Sequence, residues 1–153
     1  MLRVSSERID AAEELRAFET LAAQAGGIVT FSGQVRKEAA GGIVKSLFLQ
    51  AYSPMTEQGI EAAMTEANTR WSLDHTKVLH RTGAMLPGDT IVFVATAAKH
   101  RRAAFEAADF LMDYLKTEAV FWKKEDTGTS SHWIEPREDD YSDAARWTKK
   151  EKI

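Results

Sequence analysis

Apolar residues recur every three or four positions in three stretches of the chain, which is the spacing of a buried helix face. Asp10 and Glu13 open the first stretch with the arrangement of a helix N-cap and a reciprocal acid. Ser53 and Pro54 open the second, because serine caps helices and proline is tolerated in their first turn. The pattern therefore predicts helices over residues 11–24, from Pro54 to about Arg70, and over residues 100–118.

Segments rich in β-branched and aromatic residues lie between and after these helices, and we predict strands over residues 28–36, 43–52, 76–81, 90–96 and 132–135. Gly41 and Gly42 suit a hairpin between the first two strands, which we therefore expect to pair. Pro87 and Gly88 mark a turn before the fourth strand, so the third and fourth are expected to pair antiparallel. Strands and helices do not alternate regularly as in βαβ units. The order of the predicted elements therefore indicates an α+β fold with about three packed helices.

The composition narrows the class of protein. At 153 residues, of which 44% are hydrophobic, the chain suits one compact domain over 1–153, and the charged residues 139–153 are expected to form a mobile tail. No apolar run reaches the length of a membrane span and the first residues lack a secretory pattern, so we expect a cytoplasmic protein. With no cysteine, the chain has no thiolate nucleophile, and any sulfur that it handles must arrive on another molecule.

The net charge of -3 argues against broad nucleic-acid binding, which needs a basic face. His75, His80 and His132 lack the paired spacing of metal ligands, and we interpret them as structural or exposed side chains. The chain also lacks the glycine-rich loops of nucleotide-binding proteins and the G-x-S-x-G motif of serine hydrolases. The sequence therefore predicts neither a metal site nor a cofactor.

Four basic residues, Lys99 to Arg102, gather where the third helix begins. Helix N-termini carry partial positive charge and favour acids, so this cluster is an electrostatic conflict. A bound anion such as a phosphate, with His100 and Arg101 as ligands, would resolve it. The side chains could equally extend into water or pair with acids from elsewhere, and the cluster alone leaves both interpretations open.

Lys116 lies at the other end of the same helix, and Lys123 follows in the next segment. Lysines near a helix C-terminus are electrostatically favoured, so spacing alone favours a solvated Lys116. Phe121 and Trp122 could instead desolvate a lysine, which lowers its pKa and suits acid–base catalysis, or they could simply belong to the core. Arg36 ends the first predicted strand, where a lone arginine is usually a surface residue.

Six short segments, taken together, resemble the large subunit of molybdopterin synthase. They occur in the right order and spacing over roughly residues 26–138, and MDYLKT followed by FWKKE, with HR upstream, is the most specific combination. The segments are FSGQVR at 31–36, PGD at 87–89, HR at 100–101, FEA at 105–107, MDYLKT at 112–117 and FWKKE at 121–125.

The resemblance implies an α/β hammerhead fold and a sulfurtransferase of molybdenum cofactor biosynthesis. It also implies a homodimer of large subunits, each holding one small ubiquitin-like sulfur-carrier subunit, and so a heterotetramer overall. The carrier's C-terminal Gly-Gly thiocarboxylate would enter a pocket of the large subunit. There it would supply the two sulfurs that convert cyclic pyranopterin monophosphate into the dithiolene of molybdopterin, which suits a chain without cysteine.

The same resemblance implies roles for particular residues. Lys116 and Lys123 would be the central catalytic residues, with Lys116 as the proton carrier and Lys123 holding the carrier carboxylate or the substrate. Arg36, His100 and Arg101 would bind the phosphate and the pterin of the substrate, with contributions from both protomers. Further substrate contacts are expected from Gln34, Val35, Lys124 and Glu125. Gln34 and the Gln50-Ala51 pair depart from the family pattern, in which a basic and an acidic residue, respectively, are common.

Two other classes of function are compatible with these features. A non-catalytic interaction module would retain the dimer and the carrier groove, although it would be free to lose Lys116 and Lys123. An anion or nucleotide sensor built on the basic helix start would explain His100 and Arg101, but it gives no reason for two lysines at the far end of the helix. Turnover separates both alternatives from the enzyme.

Overall fold

The computed structural model describes residues 1–148. This part of the chain contains four helices and ten strands. In order they are β1 Leu2–Ser5, α1 Ala11–Leu21, β2 Gly27–Gln34, β3 Glu38–Ala39, β4 Gly42–Ile43, β5 Ser46–Ala51, α2 Met55–Trp71, β6 His75–Arg81, β7 Gly83–Met85, β8 Thr90–Ala98, α3 Arg101–Thr117, β9 Phe121–Asp126, β10 Ser131–Trp133 and α4 Glu138–Ala145.

Two four-stranded sheets organise the fold, and the predicted α+β class is confirmed. The first sheet has the strand order β1-β6-β8-β2, and the second has the order β10-β9-β5-β7. The predicted antiparallel pair of β6 and β8 is confirmed, with His80 opposite Val92. The parallel pairing of β1 with β6 was not predicted, because it joins segments far apart in the sequence.

The predicted pairing of the first two strands, 28–36 and 43–52, is wrong. β2 pairs with β8 in the first sheet, whereas β5 pairs with β7 and β9 in the second. The glycines form only a small hairpin between β3 and β4, in which Gly42 adopts a φ of +116°. β5 leaves β2 because its alternate residues Leu47 and Leu49 are buried in a separate apolar cluster with Val35 and Met85.

Several element boundaries also differ from the prediction. The first helix ends at Leu21 rather than at residue 24, where the Ala22 N–H donates to Phe18 O and the chain turns. The FWKKE segment is itself a strand, β9, and lies between β5 and β10. A fourth helix, α4, lies in the segment expected to be a mobile tail.

Alternate residues of the first sheet face two different helical layers. Val78 and Val94 pack with α2 and α3, whereas their neighbours Leu79 and Phe93 pack with α1 around Phe18. This alternation follows from the strand geometry, in which successive side chains point to opposite faces. The central strands β6 and β8 are therefore covered on both sides. The C-terminal end of α3 lines the same cavity as β9 of the second sheet.

Contacts beyond α4 attach it to α3. Arg146 lies 2.8 Å from carboxylate oxygens of both Asp109 and Asp113, and Trp147 Nε1 donates to Asp113 at 2.6 Å. The Trp147 ring also packs edge-on against Phe110. Of the segment expected to be a mobile tail, residues 139–148 therefore pack on α3, although the helix itself ends at Ala145, and residues 149–153 lie outside the described residues. Among the residues described, no helix is both long and apolar enough to cross a membrane.

Candidate active site

A cavity of about 770 Å³ opens where the two sheets meet the C-terminal end of α3. Its walls come from the end of β2, the last turn of α3, β9 and the start of α4. The polar and charged residues that line it are Ser32, Gln34, Arg36, His80, Lys116, Thr117, Lys123, Glu125, Glu135, Arg137, Asp140 and Tyr141. Two lysines and two arginines, Lys116, Lys123, Arg36 and Arg137, outnumber the three acids of this lining, which makes the cavity suited to an anion.

Two lysines reach this cavity from different elements. Lys116 lies in the last turn of α3, and Lys123 lies on β9, on the same face as Phe121. Burial and, after it, the positive charge of Lys116 lower the pKa of Lys123 from 10.5 to about 8, and the Asp140 carboxylate partly opposes them. Lys123 is therefore a group that can exchange a proton near neutral pH, the property that the sequence analysis assigned to Lys116.

His80 forms part of the cavity floor and is only 4% exposed. Its ring stacks on Phe121, with ring centroids 4.1 Å apart and an angle of 22° between the planes. Burial, followed by the charge of Lys123, lowers the pKa of His80 from 6.5 to about 3, so the imidazole is neutral at pH 7. From the sequence, His80 was expected to be a structural or exposed residue, and its place in the cavity was not predicted. Spacing along the sequence cannot show that a residue of one sheet lies against a residue of another.

The predicted residues at the end of β2 also meet at the cavity. Gln34, Val35 and Arg36 all line it, and Val35 is buried. The Val35 N–H donates to Asp89 O, and the Gly88 N–H donates to Val35 O. A register shift between Gly33 and Gln34 interrupts the pairing with β8. The two hydrogen bonds of Val35 fix the backbone just after this register shift, and Arg36 extends from that backbone.

Glu125 and Lys124 are neighbours on β9 but face opposite sides of the sheet. Glu125 is buried, lines the cavity and lies 3.4 Å from Nε2 of His132. Lys124 points away from the cavity, with its Nζ 5.5 Å from the centre of the Trp133 ring. The structure therefore brings Glu125 to the cavity and does not bring Lys124 there.

His100 and Arg101 lie at the opposite end of α3 from Lys116, about 22 Å away along the helix axis. Both side chains are exposed, and neither lines the cavity. Within residues 1–148, Arg102 forms an ion pair with Glu106, whereas His100 and Arg101 form none. His100 and Arg101 therefore lack an ion-pair partner within residues 1–148 and lie apart from the two lysines.

Arg137 and Asp140 at the start of α4 were not predicted as site residues. Arg137 caps α4, with its N–H donating to an Asp140 oxygen at 2.8 Å, and both residues line the cavity. The acidic composition of this segment had indicated a charged tail, and only its docking on α3 places it here. Over residues 1–148, no group of three or more histidine, aspartate or glutamate side chains is arranged to hold a metal ion.

Comparison with known proteins identifies the family. The MoaE protein family model matches residues 4–118, which is most of the chain. The chain belongs to the MoaE family. A MoaE relative from Yersinia pestis, named molybdopterin synthase catalytic subunit, is 48% identical over 122 residues, which are 80% of this chain and 81% of that protein. A relative of the same name from Pseudomonas aeruginosa is 44% identical over 146 residues, which are 95% of this chain and 97% of that protein.

A solved MoaE structure has the same fold as this chain. The molybdopterin biosynthesis MoaE protein from Burkholderia ambifaria superposes with a TM-score of 0.81 and 38% identity, over 98% of this chain and 99% of that one. The resemblance drawn from the six sequence segments is therefore confirmed over nearly the whole length.

Proposed function

We propose that this chain is the catalytic subunit of a molybdopterin synthase and that sulfur transfer takes place in the cavity between its two sheets. The observation that carries the proposal is the placement of Lys116, Lys123 and Arg36 around one cavity in a MoaE-family chain. The relatives named molybdopterin synthase catalytic subunit support the reaction class. The cytoplasmic location and the single domain expected from the sequence are part of this proposal.

The chemistry gives each basic group a task. Cyclic pyranopterin monophosphate and the carrier's thiocarboxylate are both anions, and adding sulfur to the pterin side chain builds further negative charge. Positioned cations stabilise such charge best in a cavity sheltered from water. We assign Lys116 and Arg36 to this electrostatic role. Lys123 is assigned the proton transfers, because its pKa of about 8 lets it take up and release a proton near neutral pH.

A second copy of the chain completes the site in this proposal. His100 and Arg101 lie too far from the cavity of their own protomer to share a ligand with Lys123. A symmetric dimer can bring the start of α3 from one protomer to the cavity of the other. The small ubiquitin-like carrier subunit, with its C-terminal Gly-Gly thiocarboxylate, would fill the rest of the opening, giving a heterotetramer.

Reconstitution tests the reaction. The purified protein is mixed with thiocarboxylated carrier and cyclic pyranopterin monophosphate, and the dithiolene product is measured. We expect product from the wild type and from Lys45→Ala, a control because Lys45 is exposed and does not line the cavity, but almost none from Lys123→Met. Phosphate binding without product would favour an anion sensor, and carrier binding alone would favour a non-catalytic module.

Mixing two inactive variants tests the shared site. Lys123→Met and Arg101→Ala each disable both sites of their own homodimer, if each site takes Lys123 from one protomer and Arg101 from the other. Random exchange makes half of the dimers mixed, and each mixed dimer has one intact site, so about a quarter of wild-type activity should return. No recovery, with exchange verified by mass spectrometry, would contradict the shared site.

A further inference from the structure

One polar atom at the floor of the cavity has no hydrogen-bond partner within residues 1–148. The Nδ1 atom of His80 lies 3.1 Å from the carbonyl oxygen of Arg81. A carbonyl oxygen can only accept a hydrogen bond, so Nδ1 carries the ring proton and Nε2 has a free lone pair. Within residues 1–148, Nε2 makes no hydrogen bond, and it is not sealed from solvent. Since His80 lines the cavity, the small exposed part of the ring includes Nε2.

The orientation of this ring is fixed on two sides. Phe121 covers one face, and the bond to the Arg81 carbonyl holds the Nδ1 edge. Rotation of the ring by 180° would break that bond and place Nε2 elsewhere, so the lone pair has one direction. Burial and the charges of Lys123 and Lys116 oppose protonation, and the pKa of about 3 keeps Nε2 an acceptor through the neutral range.

We propose that Nε2 of His80 is a substrate-binding acceptor that receives a hydrogen bond from an N–H group of the pterin ring. This inference rests on the proposed function, since it takes the pterin as the ligand. An unprotonated nitrogen repels phosphate and carboxylate oxygens, which also carry lone pairs, so it selects the donor-bearing ring and leaves the anionic groups to Lys116 and Arg36. His80 thus sets the direction in which the substrate lies: ring toward the floor, phosphate toward the cations.

Substitution of His80 tests the acceptor. His80→Phe retains an aromatic ring against Phe121 and removes Nε2, whereas His80→Gln can offer an amide oxygen near the same place. We expect His80→Phe to raise KM for the pterin substrate about tenfold with little change in kcat, because an unpaired substrate donor weakens ground and transition states alike. His80→Gln should recover part of this loss. His75→Phe is the matched control, on the same strand but away from the cavity.

A measurement on the unaltered protein covers the case in which the variants do not fold. With ¹⁵N-labelled histidine, the Nε2 resonance of His80 should move on addition of cyclic pyranopterin monophosphate while Nδ1 remains nearly unchanged. An unmoved Nε2 resonance at saturating substrate would overturn the proposal.

The kinetic results separate this inference from the proposed function. Unchanged KM in a folded His80→Phe variant, with an active wild type, would overturn the role of His80 alone. If His80→Phe changed the pH profile of kcat/KM and left KM unchanged, the role of His80 would also be overturned. His80 would then act by shifting the pKa of Lys123 and not by binding the pterin. Absence of product from the wild type would overturn the proposed function and this inference together.

Discussion

Removing the charge of Lys123 is expected to stabilise the protein while abolishing turnover. Lys123→Met keeps an unbranched side chain of similar length and removes the ammonium group. In the folded state the pKa of Lys123 is about 8, against 10.5 for an ordinary lysine. Each pH unit of that difference corresponds to about 1.4 kcal/mol, so holding the proton in the folded protein costs about 3 kcal/mol at pH 7. Methionine avoids this cost, and part of the gain is offset by lost contacts.

The sign of the pH dependence follows from the lowered pKa. Below pH 8 both folded and unfolded chains hold the proton, and the wild type bears the whole cost. Between pH 8 and 10.5 the folded chain releases the proton first, so the wild type gains stability as the pH rises. The advantage of Lys123→Met should therefore be about 2–3 kcal/mol at pH 7 and should disappear near pH 10.5.

Urea denaturation at fixed protein concentration measures this difference at pH 7 and at pH 10. Lys45→Met serves as the control, because an exposed lysine outside the cavity should give almost the same stability as the wild type at both values. Other groups that titrate in this range contribute equally to wild type and variant and cancel in the difference. An advantage of equal size at both pH values, or none at pH 7, would refute the argument that burial and the charge of Lys116 depress the pKa of Lys123.

Three further perturbations test separate parts of the structure. Acid should destabilise the protein, because the pKa of His80 is about 3 in the folded state and 6.5 in the unfolded state. The free energy of unfolding should fall by up to about 5 kcal/mol as the pH falls from 6.5 toward 3. Urea denaturation of His80→Phe should depend less on pH over this range. Lys124→Ala should keep turnover within about threefold, roughly 0.7 kcal/mol, because Lys124 lies over Trp133 and outside the cavity; a loss as large as that of Lys123→Met would contradict its placement. Trp147→Ala should release α4, seen as faster amide hydrogen exchange across 138–145 and as lower activity, since α4 forms one wall of the cavity; unchanged exchange would contradict the docking.

The local pattern of the sequence was sufficient for the elements whose stability is mainly local or periodic. The helix over Arg101–Thr117 has a regular apolar stripe, and β6 and β8 are apolar segments joined by a loop with turn residues, so both were predicted. The family was also within reach of the sequence, because six short segments in a fixed order are more specific than any one of them.

Tertiary structure alone decided which strands pair and which side chains share the cavity. A glycine turn predicts a hairpin, but β5 leaves β2 because its apolar face is buried in a second sheet, a long-range choice that no local pattern records. The same docking of the two sheets brings His80 of one against Phe121 of the other. Because pKa depends on burial and on charges across that junction, the proton-exchanging lysine could be assigned to Lys123 only after folding had placed it beside Lys116.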